Sequence, residues 1–183
     1  LYPFGYGLSY TTFEVSDIHL DRTWMDTSGQ IEAEVTVKNT GKIYAGKEVV
    51  QVYIAKPQGK LGKPAKELAA FEKTRELQPG ESQLMILTWE INDMASYDDL
   101  GKVKKSAYVL EAGSYDIYVG TSVRDVTKAD YSYILNRDVI TEQLSAKLVP
   151  TSLPKRMLAD GSYEALPQSE PVDTDYSAIG NID

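Results

Sequence analysis

From Gln30 to Asn39 the chain alternates without a break. Ile31, Ala33, Val35 and Val37 fall on one side, and Glu32, Glu34, Thr36 and Lys38 on the other. A period of two with charge on one face makes a strand that is buried on one side and wet on the other; a helix would scatter the same apolar residues around its circumference. Such a strand needs sheet partners, and its apolar face needs a second layer to cover it.

Other stretches repeat the pattern. Ser82 to Ile91 places Met85, Leu87, Trp89 and Ile91 on one face. Thr12 to Asp21 alternates at Phe13 and Val15 and again at Ile18 and Leu20, with the parity slipping at Ser16-Asp17, as the extra residue of a β-bulge would make it. Glu48 to Ala55 is β-branched and apolar enough for a sheet centre, while Glu67 to Arg75 is weaker and flanked by cations, which suits an edge. Tyr115 to Gly120, entered through Ala112-Gly113, and Tyr131 to Arg137 complete the set. Turn chemistry separates these runs at Thr23 to Gly29, Asn39 to Lys42, Pro57 to Pro64 and Leu77 to Glu81, and Asn92 to Lys105 reads as a polar crossing loop. No helical period of ten or more residues intervenes. The pattern predicts an all-β chain, a sandwich of about seven short antiparallel strands. Val35, Val37, Val50, Val52, Leu87, Trp89, Ile117 and Val119 are expected between its two sheets.

Several function classes find no support. A net charge of −8 argues against nucleic acid or an anionic membrane as partner, and without cysteine there is neither disulfide nor thiolate chemistry. No apolar run approaches the ~20 residues of a membrane helix. Retaining glycosidases need two carboxyl groups about 5–5.5 Å apart. Asp98 and Asp99 are neighbours and would point to opposite faces of a strand; Glu32 and Glu34 lie on the solvent side. His19 stands alone, too few partners for a metal or a triad. The run Asp173-Thr174-Asp175-Tyr176-Ser177 has Ala178 where a calcium loop needs glycine. Gly5-Tyr6-Gly7 lacks the strand, third glycine and helix of a dinucleotide turn. The sequence therefore offers no catalytic residue, no metal site and no cofactor site. Trp24, in a loop, is the candidate for stacking on a sugar, whereas Trp89 belongs to a core face.

The first residues, Leu1 to Thr11, hold four aromatics and two glycines ahead of the first strand. A free end this apolar would expose its rings, so Tyr2, Phe4, Tyr6 and Tyr10 are expected to pack on a body outside this chain. The run Pro3-Phe4-Gly5-Tyr6-Gly7-Leu8-Ser9-Tyr10-Thr11 resembles the segment leading into the fibronectin type III-like domain of family 3 glycoside hydrolases, the β-glucosidase family. Later residues extend the resemblance in order: Val37 to Gly41, Gly46 to Tyr53, Pro64 to Lys73, Leu77 to Glu81, Asp93 to Asp98 and Glu111 to Gly120. Tyr108 stands where that family often has tryptophan, and the loop around Asp98 to Lys102 is long. The resemblance implies an immunoglobulin/fibronectin type III-like sandwich acting as a non-catalytic accessory module. Its partners would be the catalytic domains of a parent enzyme that hydrolyses terminal β-linked glycosides with retention. That family keeps its nucleophile and acid/base in other domains, so none is carried over. A carbohydrate-binding module and a free-standing adhesion sandwich are the competing readings of such a fold.

The expected organisation is a connector over residues 1–11, leading from a preceding α/β domain, the sandwich over 12–140, and a linker with an acidic tail over 141–183. Val139 to Lys147 reads as an extended exit or a short helix. From Asp160 to Asp183 there are six acids and no lysine or arginine, a segment that is disordered or orders only against a partner. The chain reads as a fragment. Two parental orders fit it: a sandwich at the end of the polypeptide, or one placed between an α/β domain and a following barrel.

Overall fold

The computed structural model describes residues 2–21, 29–145, 154–158 and 160–166. Seven strands form the two facing sheets. One sheet has the order β1-β2-β5, from β1 (Phe13–Asp21), β2 (Gln30–Asn39) and β5 (Ser82–Glu90); the other has the order β4-β3-β8-β9, from β3 (Val49–Ala55), β4 (Glu67–Lys73), β8 (Gly113–Gly120) and β9 (Val126–Leu135). Every pairing is antiparallel. The all-β sandwich expected from the alternation is the fold observed.

The periodic residues close the core. Ile31, Ala33, Val35 and Val37 are buried, as are Met85, Leu87 and Trp89 of β5, and they meet Val50, Val52, Ile54, Ile117 and Val119 of the other sheet. The slip in β1 is a bulge, with the register breaking between Ser16 and His19 and Asp17 at φ +50°. Aspartate is among the few residues that enter this region at modest cost. Strand β3 is internal and buried on both faces, and β4 is the edge. Tyr115 is fully buried and its hydroxyl donates to the Glu111 carbonyl four residues upstream, at 2.9 Å, a corner that fixes the entry to β8. Burial first, and the nearby Glu111 charge second, push its phenol pKa up.

The structure departs from the sequence reading in five places. The crossing loop after β5 is structured: a 3-10 turn (Ile91–Met94) leads into β6 (Ser96–Asp98). Strand β7 (Ala107–Leu110) went unseen because four apolar residues are too few to show a period. β9 begins at Val126, ahead of the expected Tyr131, because Thr127, Lys128 and Asp130 face water and hide the alternation. β10 (Val139–Gln143) is extended, pairs with β7 and crosses residue 140; the order β10-β7-β6 makes a side sheet. Beyond it, β11 (Lys155–Met157) and β12 (Tyr163–Ala165) form a hairpin within the stretch expected to be linker and tail. The expected turn at Thr23 to Gly29 lies almost wholly outside the described residues.

Asp98 ends β6 and organises the loop that follows. Its carboxylate accepts four backbone N–H groups, from Gly101 (2.7 Å), Lys102 (3.0 Å), Val103 (2.6 Å) and Lys104 (2.8 Å). Burial pushes its pKa up, but the four donors outweigh burial and hold it below the usual carboxylate range. Glu111 does similar work for the β3–β4 loop: buried, it takes the Leu61 N–H at 3.1 Å and the ammonium of Lys63, itself buried.

Candidate functional site: an exposed aromatic face held by its backbone

The segment before β1 is tied down at both ends. Tyr6 N–H donates to the Pro3 carbonyl at 3.1 Å, closing a tight turn with Gly5 at φ +83° in its third position. A Cβ on Gly5 would stand 2.5 Å from Gln51 Nε2 and 2.8 Å from the Thr121 carbonyl, so only glycine lets the connector lie this close on β3. Val123 N–H reaches the Phe4 carbonyl at 3.1 Å and ties the turn to the β8–β9 loop. Beneath it, Gln51 is buried and accepts the Tyr53 hydroxyl.

At the other end Thr11 Oγ1 donates to Asn39 Oδ1 at 2.6 Å, and Thr40 N–H to the Thr12 carbonyl at 2.8 Å. Asn39 is fully buried. Its amide donates to the Tyr44 carbonyl (3.0 Å) and the Leu77 carbonyl (2.9 Å), and its oxygen also accepts Gly41 N–H (3.0 Å). One side chain thus joins the connector, the β2–β3 loop and the β4–β5 turn.

Held in this way, the segment leaves its large side chains in solvent. Leu8 and Tyr10 are both 91% exposed and Phe4 is 64% exposed, while Tyr2 and Tyr6 stack on each other with centroids 4.7 Å apart. Ile43 and Tyr44 of the β2–β3 loop join them, Tyr44 lying 6.1 Å from the Tyr10 ring at a tilt of 58°. Single exposed apolar residues are ordinary; here seven are exposed along an ordered backbone. The sequence reading names Tyr2, Phe4, Tyr6 and Tyr10 and leaves out Ile43 and Tyr44, which look like turn residues until the fold sets Tyr44 against Tyr10.

A cavity of about 390 Å³ opens between Gly5 to Ser9 and the residues Lys47, Glu48, Thr121, Ser122 and Asp125. Burial is the main reason that the Glu48 carboxyl pKa lies above its usual value; Asp125 adds to this and the Val49 N–H opposes it.

No carboxylate pair poised for glycoside cleavage emerges among the described residues. Asp98 is saturated by backbone donors, and Asp99 turns to Arg156, 3.1 Å away. Glu32 and Glu34 lie opposite Asp21 and His19 on the adjacent strand. His19 is exposed, with Asp130 as its neighbour at 3.7 Å. The described residues contain no cluster of three metal-ligating side chains. No helix among them is long and apolar enough to cross a membrane. Trp24 lies outside the described residues.

Comparison with known proteins adds four findings. A family model described as "Fibronectin type III-like domain" matches residues 48–123. "Beta-glucosidase A" of Butyrivibrio fibrisolvens is 59% identical over 97% of this chain, which covers 22% of that protein. Among solved structures, a β-glucosidase from Paenibacillus barengoltzii superposes with a TM-score of 0.78 at 43% identity, over 93% of this chain and 20% of its own. β-Glucosidase 3B from Thermotoga neapolitana, solved with α-D-glucose, superposes with a TM-score of 0.65 at 40% identity over 76% of this chain and 18% of its own. The chain therefore spans about a fifth of the length of the relatives it matches.

Proposed function

This chain carries the fibronectin type III-like domain of the family 3 glycoside hydrolases, and on that premise we propose that it is a non-catalytic accessory module, docked through its aromatic connector on a catalytic domain of a β-glucosidase-type parent. The parent would hydrolyse terminal β-linked glycosides with retention, using carboxylates that lie outside this chain. One observation carries the reading. Seven apolar side chains, Tyr2, Phe4, Tyr6, Leu8, Tyr10, Ile43 and Tyr44, are fixed by a hydrogen-bonded backbone and yet exposed. Ordering such a segment makes sense if a second surface covers it.

A carbohydrate platform fits this geometry less well. A sugar platform presents rings in one plane, whereas Tyr2 and Tyr6 stack on each other and Tyr44 is tilted 58° against Tyr10. Residues 1–11 are then the exit from an α/β domain. The segment beyond Gln143 leads on, in our proposal, to a barrel domain, placing the sandwich between the two.

The test is made in the parent polypeptide. Fully burying an aromatic ring contributes about 1.5–3 kcal/mol. Phe4→Ser with Tyr10→Ser should therefore lower the parent's unfolding midpoint by several degrees and reduce turnover of an aryl β-glucoside. The 183-residue chain by itself should not cleave that substrate. An unchanged midpoint in the double variant would remove the docking role.

A further inference from the structure

The hairpin β11–β12 is built the wrong way round for a free surface element. Arg156 pairs with Glu164 across it, while Lys155, Met157, Tyr163 and Ala165 share the other face. The face with Arg156 and Glu164 is ionic and turned to the sandwich: Arg156 Nη1 meets Asp99 at 3.1 Å, its Nε meets Glu164, and Lys102 Nζ lies 3.9 Å from Glu164. The opposite face is largely exposed, with Met157 at its edge also lining a cavity against the β3–β4 loop. Met157 is 65% exposed and Tyr163 59% exposed, with Lys155 Nζ 4.4 Å above the Tyr163 ring. A two-stranded hairpin alone is marginal in water, and exposed ion pairs add only about 0–1 kcal/mol each. Its own contacts do not account for its order.

Its place in the fold is equally specific. β3 and β8 run between two ends of the sandwich. At one end Gly5 of the connector lies on Gln51 and Thr121. At the other Pro57 packs against Gly113, and Gln58, Gly62, Lys63 and Pro64 share a cavity with Arg156, Met157 and Leu158 of the hairpin. At a rise of about 3.3 Å per residue, Gln51 and Pro57 stand roughly 20 Å apart. The hairpin thus sits at the end opposite the connector.

We propose that this hairpin is a second docking element, whose Met157–Tyr163 face seats on a catalytic domain of the parent polypeptide other than the one the connector meets. The proposal rests on the accessory-module reading above. Roughly four-fifths of each matched relative lies outside the stretch this chain covers, which supplies bodies to be seated. The Butyrivibrio match, over 97% of this chain, leaves too little uncovered to omit the hairpin. The partner surface is apolar at its centre, with an acidic rim for Lys155. The sandwich is then a spacer gripped at both ends.

Oxidative footprinting of the full-length parent tests this, because methionine and tyrosine react according to exposure. In the native parent Met157 and Tyr163 should oxidise about tenfold more slowly than in the urea-unfolded parent. Connector rings Tyr2, Tyr6 and Tyr10 report separately on the first docking surface. Protected connector rings with a reactive Met157 and Tyr163 would overturn the hairpin proposal and leave the accessory reading intact; reactivity at both places would overturn both. Met157→Lys, which leaves the ionic face untouched, should expose Tyr163 to oxidation while the connector stays protected. If Tyr163 stays protected in that variant, the hairpin's cover is not the proposed seat. Protection that disappears on dilution would assign a second copy as the occupant and equally overturn the proposal.

Discussion

Replacing Asp98 with asparagine separates a structural carboxylate from a merely buried one. The aspartate offers two oxygens to four N–H groups, Gly101 and Lys102 on one and Val103 and Lys104 on the other. Asparagine keeps one oxygen and turns an NH2 toward the remaining two donors. Hydrogen bonds to a charged group contribute about 1.5–3 kcal/mol each, so two lost bonds cost roughly 3–6 kcal/mol. Gly101, Lys102 and Lys104 are exposed and water recovers part of this, which places the expected loss near 3 kcal/mol. For a domain of this size that lowers the melting temperature by roughly 6–12 °C. The pH dependence sharpens the test. The Asp98 pKa is depressed in the folded state, so its stabilisation is complete above the ordinary carboxylate pKa of about 4 and is lost as pH falls through the lower folded value. Urea unfolding of the 183-residue chain at pH 7 and at pH 3 should show the gap between native and Asp98→Asn chains narrowing in acid. A gap below about 0.5 kcal/mol at pH 7, within the range of ordinary surface substitutions, would refute the reasoning, as would a gap that does not change with pH.

Three further outcomes are expected. Trp89→Ala should destabilise the chain by about 3–5 kcal/mol in urea unfolding; the cost is packing alone, because the indole N–H has no hydrogen-bond partner among the described residues. Lys63→Ala leaves the buried Glu111 carboxylate with backbone donors and no countercharge and should cost about 3–5 kcal/mol, while Lys63→Met combined with Glu111→Gln should recover part of the loss. Gly5→Ala meets Gln51, the Thr121 carbonyl and a left-handed backbone worth about 1–2 kcal/mol of strain. Hydrogen exchange at the Val123 amide, which donates to the Phe4 carbonyl, should then quicken; an unchanged rate would show that the connector does not depend on that close approach.

The alternation of Ile31 to Val37 and of Met85 to Trp89 was enough to determine two half-buried strands, and with the other runs a sandwich. Period two allows one arrangement of apolar side chains, and a facing sheet is the way to cover it. The parity slip at Ser16-Asp17 announced the bulge in the same way. Tertiary structure decided what depends on contacts distant in sequence. Asp98 reads as one acid among many until its loop folds back to give it four donors. Ile43 and Tyr44 read as turn residues until Asn39 fastens their loop beside Thr11. β7 is too short to show a period and exists because β6 and β10 flank it. Arg156 and Glu164 lie in a stretch with the composition of a linker, and only the fold sets Arg156 against Asp99, more than fifty residues upstream. Local pattern reports which face of a strand is dry; partners distant along the chain determine which polar groups are satisfied, and so which loops hold still.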